Sequence, residues 1–217
     1  MNLFIIGDVH GCVNTFSEVL THWRPATEQL IQVGDLVDRG RHSPETVELA
    51  RTLSEQHPDS TTFLMGNHEH AMLQHFGPAG PYPDWLLWGG RETVHQYKSC
   101  PKMLAKHLPW LAQRPLRWQN DCVVVSHAGL ADSPHALEPD HPDGLLWRRG
   151  PLRKLPQLQV VGHTPTANGQ LLADAATNTL YIDTGAYLKR NLAGVRLSPT
   201  GDLLDTILVP THPEDLY

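Results

Sequence analysis

The chain has 217 residues, of which 40% are hydrophobic and 18% charged, and its formal net charge is −6. These values predict one globular domain over residues 1–217 with a folded surface of ~10,000 Å²; they exclude a disordered charged chain and speak against nucleic-acid binding. Three cysteines (Cys12, Cys100 and Cys122) exclude a disulfide framework or a four-cysteine zinc site and suit a reducing, cytoplasmic setting, whereas 14 histidines direct attention to metal.

Met1–Ile6 opens the chain without the basic start of a signal peptide. No apolar run nears the ~18 residues of a membrane helix, so no membrane partner is expected. Leu3–Gly7 reads as a buried strand, and Cys12–Trp23 as a helix with Val13, Phe16, Val19, Leu20 and Trp23 on one face. Leu30–Gly34 is a second strand. The next helix opens at Ser43-Pro44, with Ser43 as the cap and Val47, Leu49, Ala50 and Leu53 on its apolar face. Thr61–Met65, Cys122–Ser126 and Leu158–Val161 read as further strands, and Phe76–Pro83 and Ala131–Gly144 as loops rich in turn residues. Thr179–Asp183, Leu192–Leu197 and Asp202–Val209 suggest antiparallel hairpins. Strand and helix alternating in front, with strands behind, predict an α/β sandwich.

Polar residues of ligand type follow five apolar runs in succession. They stand in Gly7-Asp8-Val9-His10-Gly11, Gly34-Asp35-Leu36-Val37-Asp38-Arg39-Gly40, Gly66-Asn67-His68-Glu69, Ser126-His127-Ala128-Gly129 and Gly162-His163-Thr164-Pro165. Strand ends bring distant residues to one edge of an α/β sheet, where sites are built. Asp8, His10, Asp35, Asn67, His127 and His163 together exceed what one tetrahedral ion needs, and this mixed nitrogen and oxygen set suits manganese, iron or zinc. Two ions can share a carboxylate, and Asp35, on the second strand, is the natural bridge. Such a pair lowers the pKa of bound water from ~15.7 towards ~7, which supplies a hydroxide nucleophile at neutral pH.

The blocks GDVHG, GDLVDRG, GNHE, SHAG and GHTP, in this order, resemble the PPP family of metal-dependent phosphoprotein phosphatases. In length the chain is more similar to the bacteriophage lambda-type and bacterial serine/threonine phosphatases than to the eukaryotic enzymes. The likeness runs from residue 7 to about residue 187, with Tyr181–Ala186 a further match. It implies a calcineurin-like metallophosphoesterase β-sandwich flanked by helices, in four layers α/β/β/α. It also implies that Asp8, His10 and Asp35 hold one ion, and that Asp35, Asn67, His127 and His163 hold the other. His68 would be the general acid oriented by Asp38, and Arg39 would clamp phosphate, with Arg149 the better match for a second arginine and Arg148 the spare. The implied reaction is phosphomonoester hydrolysis on phosphorylated proteins or peptides, with phosphotyrosine left open beside phosphoserine and phosphothreonine.

Other readings compete. Symmetrical hydrolysis of diadenosine tetraphosphate uses the same fold, but that branch tends to carry alanine at the position of Asp38 and aspartate at that of Glu69. Small phosphoesters, a nucleic-acid phosphodiesterase and a non-catalytic scaffold for phosphoproteins are further options, although no ligand or acid is missing. Glu69 would either support the site or only cap the next helix. Trp85, Trp88, Trp110 and Trp118 read as core anchors, Cys12 as a small packing residue, and the ten remaining histidines mostly as solvated surface.

Overall fold

A computed structural model describes residues 1–217, with a solvent-accessible surface of 9562 Å². In chain order the elements are β1 (Asn2–Ile6), α1 (Val13–Leu20), β2 (Glu28–Gln32), α2 (Ser43–Gln56), β3 (Thr61–Phe63) and α3 (Asn67–Phe76). The short α4 (Pro83–Trp85) runs through a π-helical turn at Leu86–Gly90 into α5 (Arg91–Lys98), and α6 (Pro101–Leu111) follows. The rest is strand-rich: β4 (Arg117–Gln119), β5 (Val123–Ser126), β6 (Leu158–Val161), β7 (Leu172–Asp174), β8 (Thr179–Tyr181), β9 (Asn191–Leu197) and β10 (Leu203–Pro210).

The strands form two five-stranded mixed sheets, in the orders β10-β9-β1-β2-β3 and β4-β5-β6-β8-β7. β1 shows why. Its Leu3 and Ile5 join Val123, Val125, Val160 and Leu180 between the sheets, while Phe4 and Ile6 face the helix layer with Phe16, Val19 and Val47. Burial on both faces turns the two-residue alternation of a strand into a continuous apolar run. Helix α1 packs on β9 and β10, α2 packs on β3, and α5 and α6 pack against α2. On the second sheet, Val124 turns outward to Leu130, Ala131, Leu145 and Leu146, so a turn-rich segment covers much of that face.

Several expected boundaries shift for identifiable reasons. The first helix stops at Leu20, not Trp23, because Thr21, His22 and Trp23 each donate to a carbonyl three residues back and tighten the last turn. The second strand begins at Glu28, where the buried carboxylate accepts from Arg196 Nε at 2.5 Å and so lets a polar residue into the core. Ser43 is already helical, and its hydroxyl accepts from the Asp38 backbone N–H at 3.0 Å instead of capping α2. Of the three runs expected to form hairpins, only β9 and β10 pair with each other: β8 lies in the other sheet, parallel to β6 and antiparallel to β7. No helix is long and apolar enough to cross a membrane.

The parallel strands β1, β2 and β3 of one sheet and β5, β6 and β8 of the other decide where the site lies. Their carboxyl ends are followed by Asp8, Asp35, Asn67, His127, His163 and Asp183.

Candidate active site

Strained backbone marks the place. His10, Asp35, Asp38, Arg39 and His163 all have φ between 48° and 75°. Side chains other than glycine rarely adopt that left-handed region, and they persist there only where the surroundings over-determine them. Gly162 is required for another reason: a Cβ on it would fall 1.9 Å from Asp8 Oδ1.

Asp35 is the hub. Its Oδ2 lies 3.4 Å from His10 Nε2 and 3.4 Å from His127 Nε2, and its Oδ1 accepts from the His68 backbone N–H at 3.1 Å. It belongs to both clusters of potential metal-ligating atoms, one with His10 and His68 and one with His127 and His163. On the second side, Asn67 Oδ1 stands 2.8 Å from His127 Nε2 and 2.9 Å from His163 Nδ1. The His127 Nδ1–H donates to the Val33 carbonyl at 3.1 Å, so its Nε2 carries a lone pair. On the first side, His10 Nδ1–H donates to the Val37 carbonyl at 2.9 Å and leaves the lone pair on Nε2. Asp8 stands outside the two clusters: its Oδ2 accepts from the His163 N–H at 2.9 Å, and its buried Oδ1 has no partner.

Electrostatics agree with a cation site. Burial pushes His10 and His163 well below the ordinary histidine range, with Arg39 and His127 respectively adding to it, and burial also lowers His127. Neutral imidazoles are the form that binds metal. Burial alone would raise Asp35, but on acidification the imidazoles of His127, His68, His10 and His163 take up protons before it, and their charge holds the carboxyl well below the usual carboxylate range. Asp8 is raised by burial and then by Asp183 and Asp35, which is what a carboxylate awaiting positive charge looks like. Converging lone pairs and an orphaned buried carboxylate oxygen therefore fit divalent cations.

His68 and Arg39 face the same space. His68 Nδ1–H donates to Asp38 Oδ2 at 2.5 Å, and Asp35 and Asp38 raise the imidazole's pKa against the opposing effect of burial. Arg39 donates to His10 Nε2 and His68 Nε2, both at 3.0 Å, and its guanidinium lies 4.1 Å from the centre of the Tyr187 ring. Arg149 Nη1 donates to Thr164 Oγ1 at 3.3 Å and lines the same ≈510 Å³ cavity as Arg39, Asn67, His68 and His163. Arg148 turns away to Asp143 Oδ1 at 2.7 Å.

Glu69 supports the site. Fully buried, it accepts from the backbone N–H groups of Asp35, Leu36, Val37 and Gly66 at 2.8–3.1 Å. Burial and the Asp35 carboxylate push its pKa to about 7, while those backbone donors favour the ionised form. An amide in its place would turn an N–H₂ towards two donors. Glu69→Gln is therefore expected to cost about 2–4 kcal/mol of stability in a urea titration of the metal-free protein. An unchanged midpoint would mean that Glu69 is not what fixes the Asp35 turn.

A model of the calcineurin-like phosphoesterase family matches residues 1–190. The chain belongs to that family. The chain is 31% identical over 137 residues to a symmetrical bis(5'-nucleosyl)-tetraphosphatase of Vibrio parahaemolyticus, covering 60% of this chain and 46% of that one. The chain thus spans about half the length of that curated relative. To serine/threonine-protein phosphatase 2 of Salmonella typhimurium it is 27% identical over 208 residues, covering 88% of this chain and 91% of that one. Among solved structures, a Saccharomyces cerevisiae protein serine/threonine phosphatase superposes with a TM-score of 0.69 at 18% identity, over 99% of this chain and 82% of that one, which shows the shared fold.

Some features of this chain lay outside the sequence reading. Asp183 is buried, with Oδ2 unpartnered, and burial raises its pKa to about 6. Its block was matched, but without a role for the carboxylate. Trp88 packs half-buried against the core and also, with Trp147 and Tyr187, walls the cavity, the two indoles 5.7 Å apart. The histidines also differ from expectation. Only His22, His95 and His212 of the ten are exposed, and His107 is fully buried between Tyr97 Oη at 2.7 Å and Glu48 Oε2 at 2.8 Å. Cys12 is buried as expected, and burial raises its thiol out of reach of ionisation.

Proposed function

We propose that this phosphoesterase, acting as one domain over residues 1–217, hydrolyses phosphomonoesters on phosphorylated proteins. The observation that carries the reading is the meeting of the Asp38–His68 pair with Arg39 and Arg149 in one cavity beside the cluster that shares Asp35. Asp8, His10 and Asp35 would hold one cation, and Asp35, Asn67, His127 and His163 the other. Bound there, two divalent cations, manganese being the choice we favour over iron or zinc, would supply hydroxide at neutral pH and neutralise phosphoryl charge.

The chain's own groups supply the rest. Arg39 and Arg149 would bind the phosphoryl oxygens, Arg39 through the planar fork that Tyr187 and the Trp88 carbonyl brace. Once Arg39 leaves His68 Nε2 for the phosphoryl oxygens, His68 would hold a proton on Nε2 and deliver it to the leaving alkoxide, while Asp38 keeps Nδ1–H pointed away from the substrate. The Trp88 and Trp147 indoles exclude water from one side.

Symmetrical cleavage of diadenosine tetraphosphate is the second reading. The Vibrio parahaemolyticus relative supports it, while the nearly full-length match to the Salmonella typhimurium protein phosphatase supports the first. Chelator-stripped enzyme reloaded with manganese should be offered a phosphoserine peptide and diadenosine tetraphosphate together. Inorganic phosphate is expected to dominate. Dominant ADP would transfer the same centre to nucleotide hydrolysis.

A further inference from the structure

Asp38 is held by more than His68. Its Oδ2 also accepts from Trp85 Nε1–H at 2.7 Å, and its Oδ1 accepts from Thr93 Oγ1–H at 2.5 Å. All three residues have no solvent exposure. Thr93 is itself directed by Ser43, whose hydroxyl stands 3.2 Å from Thr93 Oγ1 and accepts from the Asp38 backbone N–H at 3.0 Å.

The donors can be assigned by elimination. An indole N–H can only donate, so Asp38 Oδ2 accepts from it. The Asp38 N–H occupies a lone pair of Ser43, the Ser43 hydroxyl can then donate to Thr93, and the Thr93 hydroxyl donates to Asp38 Oδ1. That closed circuit needs no proton on the carboxylate. His68 Nδ1 must then be the donor in its own contact, and Nε2 is left facing the cavity. Asp38 has φ 75°, a backbone conformation that does not by itself select one side-chain direction. Trp85 and Thr93 supply the selection from outside the loop.

The chain is shaped to deliver them. Trp85 ends α4 and Thr93 lies in the first turn of α5, joined through the π-helical turn. Gly90 crosses the indole so closely that a Cβ there would fall 2.3 Å from the Trp85 ring. Nothing larger than glycine lets the chain pass over Trp85 and still return Thr93 to the other carboxylate oxygen.

We propose that Trp85 and Thr93 are positioning residues for proton delivery, clamping Asp38 so that His68 keeps its Nδ1–H tautomer and its aim. The inference rests on the phosphomonoesterase reading for its kinetic consequence. The tautomer itself does not depend on that reading.

The test separates leaving groups. In manganese-loaded enzyme, Thr93→Val should lower kcat on a phosphoserine peptide by roughly 10–100-fold, the usual effect of losing a supporting hydrogen bond. A p-nitrophenyl ester, whose leaving group departs without a proton, should lose less than about 3-fold. KM and metal content should hold, and Thr93→Ser, which restores a hydroxyl, should recover most of the phosphoserine turnover. Trp85→Phe should behave like Thr93→Val. In a His68→Asn background, Thr93→Val should change nothing further. Equal losses on both esters, or a full loss added to that of His68→Asn, would overturn the proposal. Should the variants not fold, ¹⁵N-histidine NMR of the wild type decides: His68 is expected to carry its neutral-form proton on Nδ1, and an Nε2–H tautomer would refute the clamp. A wild type that releases phosphate from neither ester would remove the phosphomonoesterase reading, and the NMR result would still judge the clamp.

Discussion

Asp35→Ala is expected to leave the protein with almost no bound divalent metal, and phosphate release should fall by at least about 10³-fold. The reason is position. Asp35 is the carboxylate shared by both clusters, with Oδ2 at 3.4 Å from an imidazole on each side. The nearby imidazoles of His10, His127 and His163 are held neutral, so removing the Asp35 charge takes away much of the attraction for a cation. Backbone strain needs its own control. Asp35 has φ 60°, where alanine is disfavoured by roughly 1–2 kcal/mol and asparagine is tolerated. Asp35→Asn keeps the turn and loses only the charge, so it should fold like the wild type yet bind metal far more weakly. Elemental analysis after gel filtration reads the outcome. Two retained equivalents in both variants would show that Asp35 bridges nothing.

His68→Asn should behave in the opposite way, keeping its metal while kcat on a phosphoserine peptide falls by roughly 10²–10⁴-fold. His68 lies 3.8 Å from Asp35 Oδ2, its Nδ1 is paired with the Asp38 carboxylate, and its pKa is raised where burial lowers those of His10, His127 and His163. A residue so engaged is poorly placed to be a ligand and well placed to hold a proton beside the arginine cavity. The loss should shrink as the leaving group improves. Unchanged turnover would end the acid assignment, and loss of metal with loss of activity would make His68 a ligand.

The two variants test different layers of what the chain encodes. The candidate ligands could be read from the sequence because each block packs its polar residues within a few consecutive positions after an apolar run, and six parallel strands end at one edge. The hydrogen-bonded pair Asp38 and His68, which we propose to be catalytic, stood out for the same reason, since both sit in blocks that also carry candidate ligands. The family resemblance favoured Arg149 over Arg148; Arg149 lines the cavity and Arg148 is engaged by Asp143.

What was hidden is short, exposed or distant. β4 and β7 have only three residues each, with largely exposed burial patterns, so no alternation marks them. Strand partners were equally invisible. β8 reads like the first arm of a hairpin with β9, yet it joins the other sheet, because pairing is decided by which apolar face finds cover and not by neighbourhood along the chain. Trp85 illustrates the limit within the site. Its burial was foreseeable from its type, but the direction of one indole N–H depends on a carboxylate 47 residues away. Thr93 reaches the same carboxylate across 55 residues. Local sequence thus specified the candidate reacting groups, since strand, turn and polar residue are neighbours in the chain. Tertiary packing alone decided their aim, because the hydrogen bonds that orient them close across distances no local pattern records.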